Sequence, residues 1–234
     1  DKIRAAWVGN VITGSGYNFK RAVESGHITV EEHSILTLVT AFTAGKMGIP
    51  FMPTGTALGS DLYQTNPNLK TMVCPFTGRK LTAVRAIQPD VTIIHAQRCD
   101  EYGNAHVWGN MGITREACLA GRSVIVTAEE IVAPEVINSD PNRVVTPGFR
   151  VTAVVHAPWG AHPSPAPGHY NRDHRAFLEY RDASRTEEAF RRWLKKWVDD
   201  VRIPADYLRL LGKNRLRELA LKQHLFSEPV DYGY

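Results

Sequence analysis

Serine, histidine, arginine and amide side chains set among glycines mark three places in this sequence where a small ligand could be held, and four spaced histidines mark another. The first place is Thr13-Gly14-Ser15-Gly16-Tyr17-Asn18, directly after the strand-like stretch Ile3 to Val8. Loops at the carboxyl ends of strands in open α/β sheets are the usual ligand sites, and the Ser15 hydroxyl can donate to a carbonyl or carboxylate. The segment lacks the full dinucleotide fingerprint and the spacing of a phosphate-cradling loop. A plain tight turn accounts for its glycines equally well. The second place, Gly55-Thr56-Ala57-Leu58-Gly59-Ser60-Asp61, offers backbone amides to an anionic or acyl group, with a structural turn as the blander reading. The third, His95 to Asn104, closes the strongest strand signal, and polar side chains leaving a buried strand must find partners or meet a ligand. Within it Asp100 to Asn104 reads as a turn, and His95 as a satisfied core histidine before a catalytic base.

The four histidines are His156, His162, His169 and His174. Histidine is the commonest metal ligand, but these spacings fit no standard zinc pattern and prolines break the segment, so no metal is expected. Cys99 and Cys118 lack the His and Asn or Asp context of a nucleophile and read as buried thiols.

The elements that must position these residues are legible in outline. Thr29 and Glu32 form a capping-box pair ahead of Ile35, Leu36, Leu38, Val39 and Phe42, with Gly48 and Pro50 as the stop, which predicts a helix buried on several sides. Pro50 to Pro53 reads as a strand or turn, and Thr71 to Cys74 with Leu81 to Ala86 as a hairpin. Three nearly continuous apolar runs, Val91 to Ala96, Ser123 to Thr127 and Val151 to His156, suit parallel strands covered on both faces. Between the first two, Thr114 to Gly121 supplies a helix and hence a β-α-β unit. Ser164 to Gly168 is loop. Beyond it Ser184 and Glu187 form a second capping box for a helix facing inward through Phe190, Trp193, Leu194, Trp197 and Val201. Short helices follow at Asp206 to Leu211 and Asn214 to Lys222. The fold class is therefore α/β, an open and largely parallel sheet flanked by helices. It is read as one domain over 1–234, with a sheet core at 1–163 and a C-terminal helical extension at 164–234.

The 234 residues, 43% hydrophobic and 22% charged, exclude a disordered or fibrous chain. No apolar run approaches the roughly 20 residues of a membrane helix. Three cysteines without paired spacing argue against a secreted disulfide framework and for a cytoplasmic protein. The formal charge of +4 is mild and mixed with acids, so neither a nucleic-acid partner nor a membrane is called for.

Several longer strings then say more. Gly48-Ile49-Pro50-Phe51-Met52-Pro53-Thr54, Leu58-Gly59-Ser60-Asp61-Leu62, Asp90-Val91-Thr92-Ile93-Ile94-His95-Ala96-Gln97-Arg98 and Ala157-Pro158-Trp159-Gly160-Ala161-His162-Pro163-Ser164 together resemble the A subunits of the family I CoA-transferases, nearest the glutaconate CoA-transferase type. Val107-Trp108-Gly109, Thr127-Ala128-Glu129-Glu130-Ile131, Pro147-Gly148 and Tyr207-Leu208-Arg209-Leu210-Leu211-Gly212 fall in the same order, so the resemblance spans essentially the whole chain. The family has further β and α elements ahead of these strings. The expectation is accordingly a fragment that lacks the family's N-terminal part.

The resemblance implies a two-subunit enzyme whose nucleophile is a glutamate of a partner B subunit. That glutamate attacks an acyl-CoA and carries CoA as a glutamyl thioester to a second carboxylic acid. No catalytic residue is then expected in this chain, and no permanently bound cofactor, coenzyme A being a substrate. Ser15, Gly16, Tyr17, Gly59, Ser60, Gln97 and Arg98 are the expected acyl-substrate contacts. A CoA-ester ring-opening hydrolase of the same fold is the alternative, with a histidine-based metallohydrolase behind it.

Overall fold

The computed structural model describes residues 1–14 and 16–222. Its first unit is β1 (Lys2–Ala5), α1 (Tyr17–Glu24) and β2 (Thr29–Glu32), the two strands pairing in parallel from Lys2↔Thr29 to Ala5↔Glu32. The capping box expected at Thr29 and Glu32 is therefore a strand. Its backbone is taken by the ladder, Thr29 N–H donating to Asp1 O and His33 N–H to Ala5 O. The helix opens later, as α2 (Ile35–Met47), where Ser34 Oγ accepts the Thr37 N–H at 3.0 Å. It ends at Gly48, whose φ of 71° supplies the left-handed closing turn.

The buried face of α2 is narrow and made of small side chains, Thr37, Thr40, Ala41, Ala44 and Gly45. Burial on several sides was expected, but Ile35, Leu36 and Met47 are exposed. The small residues admit close neighbours. On one side is the antiparallel sheet of β3 (Phe51–Thr54), β4 (Leu69–Val73) and β5 (Lys80–Arg85), in order β3-β5-β4 and with α3 (Leu62–Thr65) leading into β4. Ala41, Leu69 and Val84 form the core there. On the other side lies α4 (Thr114–Ala120).

The larger sheet contains β6 (Val91–Cys99), β7 (Ala105–His106), β8 (Ser123–Ile131), β9 (Val144–Thr146) and β10 (Val151–His156), with the short helix α5 (Pro134–Asn138) between β8 and β9. The order is β10-β8-β6-β7-β9. Its three long strands are parallel, and β7 and β9 are antiparallel additions. β6 and β8 run past the expected apolar segments, so Gln97, Arg98, Glu129 and Glu130 lie within these strands. Ile94, Ala96, Val124, Val126 and Ala128 pack with Cys118 of α4 as the main core. Coverage of both faces was also expected, yet Val91 and Ile93 remain exposed while their neighbours Thr92 and Ile94 are buried. The alternation of a strand sends them to opposite faces, and α4 covers only one.

The C-terminal segment folds as α6 (His174–Ala183), α7 (Glu187–Leu194) with a wider turn at Lys195–Asp199, α8 (Pro204–Leu211) and α9 (Lys213–Leu219). Ser184 closes α6 instead of opening α7. Its N–H still donates to Tyr180 O, and its hydroxyl is spent as a donor to Arg181 O. Thr186 is the cap of α7, accepting the Ala189 N–H at 3.2 Å. Trp193 meets the ring of Tyr180 edge-on at 5.0 Å and Trp197 that of Tyr207 at 5.8 Å, so the expected apolar stripe packs within the helical segment.

Asp173 ties this segment to the sheet. It is buried, caps α6 by accepting the Ala176 N–H, and also accepts from His162 Nε2 at 2.9 Å and from Arg215 Nε. Burial raises its carboxyl, but the His162 and Arg215 bonds outweigh this and hold it well below the ordinary carboxylate range. A carboxyl depressed in the folded state stabilises fully above its unfolded pKa, about 4, and loses that contribution as pH falls toward the folded value. Asp173→Asn should therefore lower the melting temperature at pH 7, and the gap from the parent should narrow progressively below about pH 4. Thermal melts at pH 7, 4 and 3 check this; a gap independent of pH would contradict it.

Candidate functional site

A cleft of about 580 Å³ opens at the carboxyl ends of the long parallel strands, walled by His95 and Gln97 of β6, Trp108, the loop after β10 with Arg172, and Phe177 of α6. Ligands of open α/β sheets sit at this end. Behind the wall is Glu129, buried at 6% exposure. Its carboxylate accepts from His95 Nε2 at 2.6 Å, from the Tyr170 hydroxyl at 2.5 Å and from the Trp159 N–H at 2.7 Å. Burial raises this carboxyl, and the bonds from His95, Tyr170 and Trp159 more than reverse the effect, so it is held below the usual value.

Each partner is itself fixed. Tyr170 is almost wholly buried, accepts the Ala161 N–H at 3.0 Å, and stacks on Trp159 with ring centroids 4.2 Å apart. Trp159 has φ 65°, a conformation costly for a residue with a side chain. The Glu129 carboxylate and the Tyr170 ring hold it there. His95 Nδ1 lies 2.8 Å from Thr127 Oγ1, so both ring nitrogens are engaged and His95 orders the wall without a nitrogen to spare for a substrate.

The expected contact residues fall in three places. Gln97 is on the cleft wall, where its amide donates to Trp108 O at 2.9 Å and to Pro167 O at 3.4 Å, clamping the strand end to two loops. Next to it Arg98 Nε bonds Glu130 at 2.9 Å, with its guanidinium 5.8 Å from the centre of the Trp108 ring. Gly16 caps α1 and touches α6 so closely that a Cβ would lie 3.2 Å from the Tyr180 ring. Tyr17 starts α1 beneath the Arg185 guanidinium. Tyr180 lines a second, aromatic cavity of about 340 Å³ with Trp193, Trp197 and Tyr207, and Phe177 belongs to both cavities. Ser15 lies outside the described residues. Gly59 and Ser60 are apart from both cavities, in a turn where Gly59 has φ 77° and Ser60 Oγ donates to Ala57 O at 2.8 Å.

Residues 2–157 match the family described as coenzyme A transferase. The chain belongs to that family. It is 41% identical to the A subunit of 3-oxoadipate CoA-transferase from Pseudomonas knackmussii over 200 residues, covering 84% of this chain and 70% of that protein. To the A subunit of glutaconate CoA-transferase from Acidaminococcus fermentans it is 34% identical over 224 residues, covering 89% and 70%. The crystal structure of the Acidaminococcus fermentans glutaconate coenzyme A-transferase superimposes with a TM-score of 0.91 at 31% identity, over 98% of this chain and 78% of that one. These are the α/β architecture and the CoA-transferase family that the strings resemble.

In this coenzyme A transferase chain the four histidines go separate ways. His156 Nε2 donates to Glu129 O, His162 joins Tyr207 and Asp173, His169 lies near the Trp108 ring, and His174 begins α6. Among the described residues no three His, Cys, Asp or Glu side chains converge on one point, and no helix is long and apolar enough to cross a membrane.

The thiols are sharply different. Burial pushes Cys99 up to about 12 and Cys118 up to about 11, whereas the Thr77 hydroxyl and the N–H groups of Phe76 and Thr77 draw Cys74 down. Iodoacetamide at neutral pH should therefore modify Cys74 alone in the native protein, and all three cysteines only after unfolding. Native labelling of Cys99 or Cys118 would contradict the packing of the sheet.

Glu129, Tyr170 and Arg172 escaped the sequence reading of the site. Glu129 had a weak signal, since pairing His95 with Thr127 places it two residues further along the neighbouring strand. Tyr170 and Arg172 had none, because a loop's return to the sheet leaves no periodicity.

Proposed function

We propose that this chain is the A subunit of an enzyme that moves coenzyme A from an acyl-CoA to a carboxylic acid, the covalent step being carried by a glutamate of a partner B subunit. The partner carboxylate attacks the thioester carbonyl, forming an acyl-glutamyl anhydride and releasing CoA thiolate. The thiolate then attacks the glutamyl carbonyl, giving a glutamyl-CoA thioester and the first free acid. The second acid reverses both steps, so one thioester is exchanged for another with no net hydrolysis.

The observation that carries this reading is the likeness along nearly the whole chain to the A subunits of two CoA-transferases. The site supports the division of labour. The residues lining the cleft include no carboxylate. The nearby glutamates are already engaged, Glu129 by three donors and Glu130 by Arg98, and Glu31 on β2 is held by Lys2 and Arg4. Within the proposal Ser15, Gly16 and Tyr17, with Gly59, Ser60, Gln97 and Arg98, contribute to the acyl-substrate side. Coenzyme A is a substrate and not a resident cofactor, and the cytoplasm, where acyl-CoA is used, is the proposed location.

The test is coexpression with a B-type subunit, purification of the complex, and assay of CoA exchange from acetyl-CoA to added carboxylic acids. Exchange by the complex and none by this chain alone is expected. Release of free CoA at the same rate with and without an acceptor acid would replace transfer by hydrolysis, and exchange by the isolated chain would place the nucleophile here.

A further inference from the structure

At the amino ends of β6 and β8, the opposite end of the sheet from the cleft, three arginines from three parts of the chain line a polar pocket of about 280 Å³. Arg4 comes from β1, Arg85 ends β5, and Arg122 stands just ahead of β8. The pocket shares no lining residue with the cleft. Its one acid, Glu31, is buried and already satisfied. It faces Arg4 across the β1–β2 pair, with Oε1 2.9 Å from Arg4 Nε and 3.3 Å from His33 Nε2, and its Oε2 accepts from Lys2 Nζ at 3.1 Å. Arg122 meets Asp90 at 3.3 Å, but both side chains are largely exposed, and such a pair contributes little. Among the described residues the Arg85 guanidinium has no ion pair or hydrogen bond. Glu31 and Asp90 thus offset two of the four cations Lys2, Arg4, Arg85 and Arg122, and the pocket keeps a surplus of positive charge.

Like charges gathered without a counter-charge repel, and an anion with several charges relieves them. Guanidinium groups pair with carboxylate and phosphate alike. Arginines arriving from separate elements, however, call for acceptor oxygens on several sides of the ligand. A tetrahedral phosphate has them, whereas a carboxylate offers two in one plane. From three arginines converging on a pocket whose only acid is satisfied, we infer a second ligand site, separate from the cleft, that takes an oligophosphate group. The inference does not depend on which reaction the cleft performs. The anion would bridge β1, β5 and the start of β8, which belong to three different sheets. Its binding therefore ties the β1–β2 unit to the rest of the chain and raises the melting temperature.

The experiment titrates the full-length protein, in complex with its B-type partner, with pyrophosphate in a calorimeter. One saturable site per copy of this chain is expected, weakened roughly 10- to 100-fold in Arg85→Gln. That variant should melt at the parent's temperature when no pyrophosphate is present. If it does not, Arg122→Gln, at an exposed side chain, takes its place with the same expectation. In the control Arg175→Gln, a surface arginine paired with Glu218, affinity should not change. Absence of saturable binding, or equal affinity in the pocket variant and the parent, overturns the inference. So does citrate binding more tightly than pyrophosphate, which would make the pocket a carboxylate site. ATP separates the two sources of the group: binding tighter than that of pyrophosphate and weakened by the same variant assigns the site to a nucleotide, and binding no tighter assigns it to a free oligophosphate. Loss of the arginine-dependent binding when coenzyme A saturates the complex would place the pocket on the coenzyme's path and overturn its separateness from the cleft.

Discussion

Replacing Glu129 with alanine should destabilise the protein by about 3–5 kcal/mol, because one substitution strands three buried or half-buried donors at once. The His95 imidazole, the Tyr170 hydroxyl and the Trp159 N–H would each lose their acceptor, and the cavity left by the side chain offers no apolar compensation. The left-handed backbone at Trp159 loses its anchor as well, so the loop from 157 to 173 that forms one side of the cleft should loosen with it. Glu129→Gln keeps the volume and one acceptor oxygen and should recover at least half of the loss. Urea unfolding measures the stabilities, and the near-ultraviolet signal of the stacked Trp159 and Tyr170 rings reports the loop. A cost below about 1 kcal/mol for the alanine variant would show that the network is not what orders the wall.

A second large effect is expected at Gly45, on the buried face of α2. A Cβ there would lie 2.0 Å from the backbone oxygen of Ile87, which no side-chain rotation can relieve. The contact is fixed from both sides, since the Ile87 N–H donates to Ala41 O and Gln88 Nε2 to Gly45 O. Alanine is the better helix former by about 1 kcal/mol, yet Gly45→Ala should destabilise by about 2–3 kcal/mol as α2 is pushed off the chain leading into β6. Gly48→Ala acts only through its positive φ, nothing lying within 4 Å of its added Cβ, and should cost less, about 1 kcal/mol. A stabilising Gly45→Ala would refute the close packing of α2.

What was legible in the sequence was local. The apolar runs of β6, β8 and β10, the closing turn at Gly48 and the hairpin of β4 and β5 each depend on residues close together in the chain. Thr29 and Glu32 misled because the same two residue types satisfy a helix start and a parallel edge, and only the distant β1 decides between them. Ser184 misled because a serine at a helix end can donate backward as readily as accept forward. At the site, Gln97 and Arg98 were visible as polar residues leaving an apolar strand. Their roles were not: Gln97 spends its amide on Trp108 and Pro167, and Arg98 faces Glu130 across the strand pair. Glu129 and Arg172 acquire meaning only when the loop after β10 folds back over β6 and β8, a long-range event with no local signature.

The division of labour between the two chains is tested most directly by where coenzyme A becomes covalently attached. The complex is incubated with acyl-CoA in the absence of an acceptor acid, treated with borohydride to fix any thioester, and both chains are analysed by peptide mass. The predicted result is reduction of a single glutamate on the B-type partner, none on this chain, and loss of the adduct when an acceptor acid is added before the borohydride. An adduct on any residue of this chain, or steady release of free CoA with no adduct on either chain, would contradict it.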